Sequence, residues 1–180
     1  MRRPGGKKPL DEKVAGDSKA AQTAAITFLA RRDFSIAELR RKLKERGYLP
    51  AAIEPALVEL ENARVIDDKR YGENLVSARA RRGHGPRRIQ QELRRSGLDA
   101  ESVQSTMDQA KVDGPDFLAM AKATRARKFG TEIPKDRKER ARQARFLQYR
   151  GFSTDHIRAV LDGGPDDESD LDPGSEPDPT

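Results

Sequence analysis

The 180-residue sequence has no cysteine and no tryptophan, and its aromatic side chains number only six Phe and three Tyr. Without cysteine there is neither a disulfide framework nor a thiolate metal site, so a reducing cytoplasm is the expected compartment. No apolar run approaches the roughly 18 residues that a membrane-spanning helix needs. The opening MRRPGGKKPLDEK is basic, but no apolar segment follows it, so it does not read as a secretory signal. Alternating runs of Val, Ile, Thr or Tyr are missing too, which argues against a sheet. Histidine is confined to His84 and His156, which are not spaced as ligands. No Ser-His-Asp arrangement and no nucleotide or cofactor motif stands out. An enzyme is not expected, and neither is a cofactor.

Charge is what the chain has in excess. It is 37% charged and 34% hydrophobic, too lean for one thick core and better suited to small helical packings. The segment 163–180, GGPDDESDLDPGSEPDPT, holds seven acids and no base; setting it aside leaves 36 bases against 23 acids in 1–162, a net of +13. A basic body with an acidic end suggests a polyanionic partner or an acidic protein. The acidic end is too polar to bury a core and is expected to be disordered. It is also a candidate to fold back on the basic body.

Apolar residues recur at spacings of three and four through most of 20–161, the signature of helices. The string ELRR occurs at 38–41 and 92–95, but aligning the two copies sets Gly47 against Glu101. Aligning the glycines instead gives an offset of 50. Leu39 then meets Ile89, Leu43 meets Leu93, Gly47 meets Gly97, Ile53 meets Val103 and Leu57 meets Met107. A third copy follows, with Leu147, Gly151, Ile157 and Leu161 at the same spacings. Glycine belongs at such places because a helix commonly ends in the left-handed conformation, which lacks a Cβ penalty only for Gly. Asp99 and Ser153 follow as N-caps, while Pro50 suits a first helical position. Pro55 inside the same helix predicts a late start or a kink.

An earlier helix precedes each of these pairs. Setting Tyr71 against Phe117 pairs RARR at 79–82 with RARK at 125–128, so that first helices end in Arg31-Arg32, Arg81-Arg82 and Arg127-Lys128. Second helices then open on a Ser35/Glu38 capping box, on Pro86 and on Pro134. The link from Lys128 to Gly151 spans 23 residues, against 15 in the other copies. The fold expected is all-α: three tandem three-helix repeats in an elongated array that can curve. Its boundaries are a disordered basic arm at 1–17, repeats at 18–66, 67–112 and 113–162, and the tail at 163–180. Each repeat alone is small for a core, so neighbours are expected to pack together.

The stretch VELENARVIDDKRYGENLVSARARRGHGPRRIQQELRRSGL, 58–98, resembles the signature region of the bacterial RecX regulators. Asp67-Asp68 before Tyr71, the Gly85-Pro86 step, Ile89 and the ending at Gly97 carry the likeness. FSIAELRRKLKERGY, 34–48, matches that family's first repeat, and the third matches less well. The resemblance implies a monomeric modulator of the RecA recombinase. Such a protein binds RecA and the RecA–DNA filament, inhibits ATPase and strand exchange, and in some cases binds single- or double-stranded DNA. Membrane association is not implied. The runner-up is an autonomous DNA-binding protein built of basic three-helix modules, although aromatics are sparse among the arginines, which weakens a base-stacking mode.

Candidate residues for a RecA- or DNA-binding surface are Arg31, Arg32, Arg41, Lys44, Arg79, Arg81, Arg82, Arg87, Arg88, Arg94, Arg95, Arg125, Arg127, Lys128, Arg137, Lys138, Arg142 and Arg145. The plain alternative is that cations at helix ends complement the helix dipole, worth about 0.3–1 kcal/mol each. The loop RRGHGPRR, 81–88, reads as a tight linker, with backbone contact to a nucleic-acid phosphate or to RecA as the other option. Asp67 and Asp68 read as a pair before a helix, one of them capping it and their charge suiting its dipole, rather than as metal-dependent nuclease carboxylates.

Overall fold

A computed structural model describes residues 10–162. Every regular element among them is a helix: α1 Glu12–Ala15, α2 Ser18–Leu29, α3 Ile36–Arg46, α4 Pro50–Asn62, α5 Asp68–Arg81, α6 Pro86–Arg95, α7 Ala100–Val112, α8 Phe117–Phe129, α9 Arg137–Arg150 and α10 Thr154–Leu161. The all-α expectation holds, and α2–α4, α5–α7 and α8–α10 are the three-helix groups. Disorder expected for the arm and for the tail falls, at 1–9 and 163–180, outside the described residues. Residues 10–17 carry α1, capped by Asp11, with Ala15 buried. The chain divides into two compact units, Met1–Val76 with Gln90–Val112 and Ser77–Ile89 with Asp113–Thr180. The division passes through α5 and α6, so the middle repeat contributes to both.

Local signals explain most helix starts. Ser35 accepts from the Glu38 amide at 3.0 Å, and Ser153 accepts from the His156 amide. Asp99 accepts from Ser102 at 2.7 Å, and Pro50 and Pro86 are first helical residues. Asp67 caps its own helix through the Arg70 amide at 3.0 Å, whereas Asp68 reaches the Ile36 amide at the start of α3 at 2.9 Å. Burial raises the Asp68 carboxyl above its ordinary pKa, the Ile36 amide opposing.

Two expectations need correction. Pro134 does not open α9; the helix starts three residues later, because Asp136 caps it through the Glu139 amide. Pro55 causes no late start: α4 runs from Pro50 through it to Asn62. Pro55 is exposed, as is Ala51, whose carbonyl it leaves unbonded, so water can satisfy that group. The basic pairs do fall at the ends of the first helices, each within about three residues of the last helical position. Arg31-Arg32 follow the C-cap Ala30 of α2, Arg81 is the last residue of α5, and Arg127-Lys128 lie in the last turn of α8.

The glycine register is what the fold obeys. Leu39, Leu43, Ile89, Leu93 and Leu147 are fully buried, Ile53, Leu57, Val103, Met107 and Leu161 nearly so, and Ile157 half-buried. Gly47, Gly97 and Gly151 have φ of 102°, 88° and 89°. In the first and third copies the residue after the glycine closes the turn: Tyr48 N–H bonds Leu43 O at 3.1 Å, and Phe152 N–H bonds Leu147 O at 3.1 Å. Tyr48, Leu98 and Phe152 are all buried, so each turn also drives an apolar side chain inward.

Within the first unit, α2 presents Ala21, Ala24 and Ala25 to Leu39 and Leu43 of α3 and to Ile53, Leu57 and Leu60 of α4. The start of α3 also lies on the turn of Gly97: Ser35 Oγ donates to Ser96 O at 2.5 Å, and a Cβ on Gly97 would stand 2.5 Å from Ala37 Cβ. The second unit repeats the device. Gly85 N–H bonds Arg150 O at 2.8 Å and Arg87 N–H bonds Gly151 O at 3.0 Å, while a Cβ on Gly151 would meet the Arg88 backbone nitrogen at 2.6 Å. At Gly47 the corresponding neighbour is only Leu10, at 3.7 Å.

Alanine at these glycines should therefore have graded effects. Gly47→Ala is expected to cost only the left-handed penalty, about 1–2 kcal/mol. Gly97→Ala and Gly151→Ala add overpacking of roughly 1–3 kcal/mol. Urea unfolding of the three variants checks the order; equal losses would contradict it.

Candidate basic docking surface

In the first unit the candidate cations are of two kinds. Arg32 is held in place: it grips both oxygens of Glu38 at 3.0 and 3.2 Å, donates to Asp33 O at 2.7 Å, and lies over the Phe34 ring at 3.6 Å. Glu38, read from the sequence as the far half of a capping box, is thus occupied by Arg32. Arg41 shares Glu38 at 4.0 Å and Glu45 at 3.8 Å. Arg31, Lys44, Arg94 and Arg95 are exposed and carry no ion pair among the described residues.

In the second unit Arg125 is a correction. It is 3% exposed and cannot belong to a surface. Its Nε donates to Gln143 at 2.8 Å and its terminal nitrogens to Thr131 O and Glu132 O, so it fastens the long link before α9. Arg79 and Arg88 are half-buried. Exposed are Arg81, Arg82, Arg87, Arg127, Lys128, Arg137, Lys138, Arg142 and Arg145. The phosphate-contact reading of 81–88 loses its donors, because the Gly85 and Arg87 amides are spent on Arg150 and Gly151.

Helix α9 gathers the densest basic face. Lys138, Arg142, Arg145 and Tyr149 follow one another at helical spacing. Tyr149 is 77% exposed, with the Arg88 guanidinium 5.8 Å from its ring. Beside it Phe129 and Phe146 meet edge to face at 5.2 Å. Around that pair stand Lys128, 4.4 Å from Phe146, Arg150, 5.2 Å from Phe146, and Arg142, 5.6 Å from Phe129. The sequence reading judged aromatics sparse among the cations, and missed both this cluster and Arg150. The i, i+3 spacing of Phe146 and Tyr149 among arginines was the available signal. Among the described residues, no three His, Asp or Glu side chains are grouped to hold a metal ion, and no helix is long and apolar enough to cross a membrane.

The family models described as the RecX first, second and third three-helix domains match residues 21–60, 67–107 and 115–161. The chain belongs to the RecX family. A regulatory protein RecX from Halorhodospira halophila is 41% identical over 151 residues, 84% of this chain and 92% of that one. Another from Pseudomonas syringae pv. tomato is 42% identical over 149 residues, 82% and 94% of the two chains. The RecX crystal structure from Lactobacillus salivarius superposes with a TM-score of 0.70 at 20% identity, over 83% of this chain and 97% of that one, a likeness of fold. The Halorhodospira and Pseudomonas relatives are named as regulatory proteins, which points away from an enzyme.

His156, which the sequence reading kept out of catalysis, has a structural consequence. Its Nδ1 is buried without a hydrogen-bond partner, and its ring packs 6.4 Å from Phe117 and 6.3 Å from Phe152. Burial holds the imidazole below its ordinary pKa of 6.5, partly offset by Asp155 and Asp116. The unfolded chain therefore binds the proton more readily than the folded one. Stability should fall as pH drops below about 6.5. His156→Leu should flatten that decline in melting temperature between about pH 7.5 and 5.5; parallel curves for the two proteins would refute it.

Proposed function

We propose that the chain binds the RecA recombinase and the RecA–DNA filament and restrains ATP hydrolysis and strand exchange, acting as a cytoplasmic monomer without a cofactor. The observation that carries this reading is the ordered match of all three RecX three-helix domains along the chain. Each unit by itself carries exposed cations that would attract an acidic protein or a phosphate backbone, and steering of that kind depends on ionic strength. Adding the protein to RecA on single-stranded DNA should lower ATP hydrolysis at stoichiometric amounts. Unchanged hydrolysis together with unchanged filament length would end the proposal. Replacing Arg81, Arg82, Arg87, Arg88, Arg94 and Arg95 together by Ala should weaken filament binding with helicity intact, and full inhibition by that variant would remove the middle repeat from the interface.

A second reading, direct binding of single-stranded DNA, is favoured by one feature: exposed Tyr149 beside Arg88, on a helix face lined with cations. A base stacked on an aromatic ring contributes about 1–3 kcal/mol. Tyr149→Ala should then weaken binding to a single-stranded oligonucleotide in the absence of RecA, and equal affinity would discard this reading.

A further inference from the structure

A groove of about 530 Å³ runs between α9 and α10. Its floor is apolar, formed by Ala141, Ala144, Ile157 and Leu161. Its rim is cationic, with Lys135, Arg137, Arg140 and Arg158. Asp162 is the one acid lining it, and its carboxylate is already bonded to Arg140. Such a site suits an anionic peptide that carries an apolar side chain.

We infer that this groove docks the chain's own acidic segment 166–172, DDESDLD, with Leu171 on the apolar floor and the flanking carboxylates on the rim. Leu171 is the only large aliphatic residue in 163–180, and five acids surround it within the segment. The chain leaves the groove at Asp162 itself, so the ligand is tethered to its site. Leu171 lies nine residues further on, a reach of up to about 30 Å. Helix α9, with its 14 residues, is only about 21 Å long. A tether this short sets an effective concentration on the order of millimolar. The third family model stops at residue 161, so the segment lies outside the matched domains. Docking does not depend on the proposed function. Its consequence, that the segment screens α9 from an anionic partner, rests on that reading.

Zero-length carbodiimide cross-linking of the full chain at low salt, read by peptide mass spectrometry, tests the docking without any partner. Lys135 should join carboxylates of 166–172 in preference to Lys44, Lys69 or Lys111. The product should fade in about 0.5 M salt, where the screening length is only a few ångströms, and should drop severalfold in Leu171→Ser. Cross-links spread evenly over those lysines, or a Lys135 yield indifferent to Leu171→Ser, overturn the inference. For the screening, a full-chain variant with the five acids of 166–172 changed to their amides should bind a labelled single-stranded oligonucleotide about fivefold tighter at low salt, the gap closing as salt rises. Equal affinity of variant and parent at every salt concentration overturns that part. A RecA assay without response would sink the proposed function and leave the cross-linking result standing.

Discussion

The beginning of one second helix seated on the glycine turn that ends another is the contact on which the rest depends. It occurs where α3 meets Gly97 and again where α6 meets Gly151. Both glycines have a double duty. Each ends its helix in the left-handed conformation, and each leaves room for a helix start that any Cβ would push away. The polar groups meet as well. Helix starts have spare N–H donors and helix ends spare carbonyls, and the Gly85 and Arg87 amides bond Arg150 O and Gly151 O directly. In the first unit Ser35 supplies a hydroxyl to Ser96 O in place of one such amide. Each bond adds only about 0.5–1.5 kcal/mol, but leaving buried carbonyls without partners would cost more.

This explains how so polar a chain folds. With hydrophobic residues at 34%, three separate repeats would have thin cores, and small cores are marginal. Alanine in α2 lets α3 and α4 approach closely, while the residues after the turns, Tyr48, Leu98 and Phe152, are drawn inside. Elsewhere arginine does structural work that an apolar chain would assign to leucine: Arg32 lies on Phe34 and holds Glu38, Arg40 grips Glu54 at 2.7 and 2.8 Å, and Arg125 ties down the long link.

The fold was legible because its defining residues are sparse and periodic. Gly47, Gly97 and Gly151 are separated by distances that no local propensity produces, and the apolar residues around them keep their spacing. What misled were signals with more than one structural use. Pro134 resembles a helix opener, yet Asp136 two residues later offers a carboxylate to the amides and sets the start instead. Pro55 resembles a helix breaker, but on a solvent-facing position its cost is reduced by water. Arg125 could not be told from Arg127 by composition; only the placement of Gln143 and the Thr131 and Glu132 carbonyls makes one buried and the other wet.

The candidate surface was less legible for a related reason. Charge counts reveal a basic body, but binding depends on which cations already have partners. An arginine that bridges Glu38 offers an incoming anion little, since its attraction is largely spent and moving it would break the bridge. By that criterion Arg32 and Arg41 belong to the scaffold, while Arg94, Arg95, Arg137, Lys138 and Arg145 retain their field. The surviving set is concentrated on the second helices α6 and α9, each of which ends at a glycine turn, and α6 also starts on one. Any partner that reads these cations must therefore read them in a register imposed by backbone contacts rather than by the cations themselves. A surface charge can change over evolution without moving its neighbours, whereas a change at Gly97 or Gly151 would displace a whole basic helix.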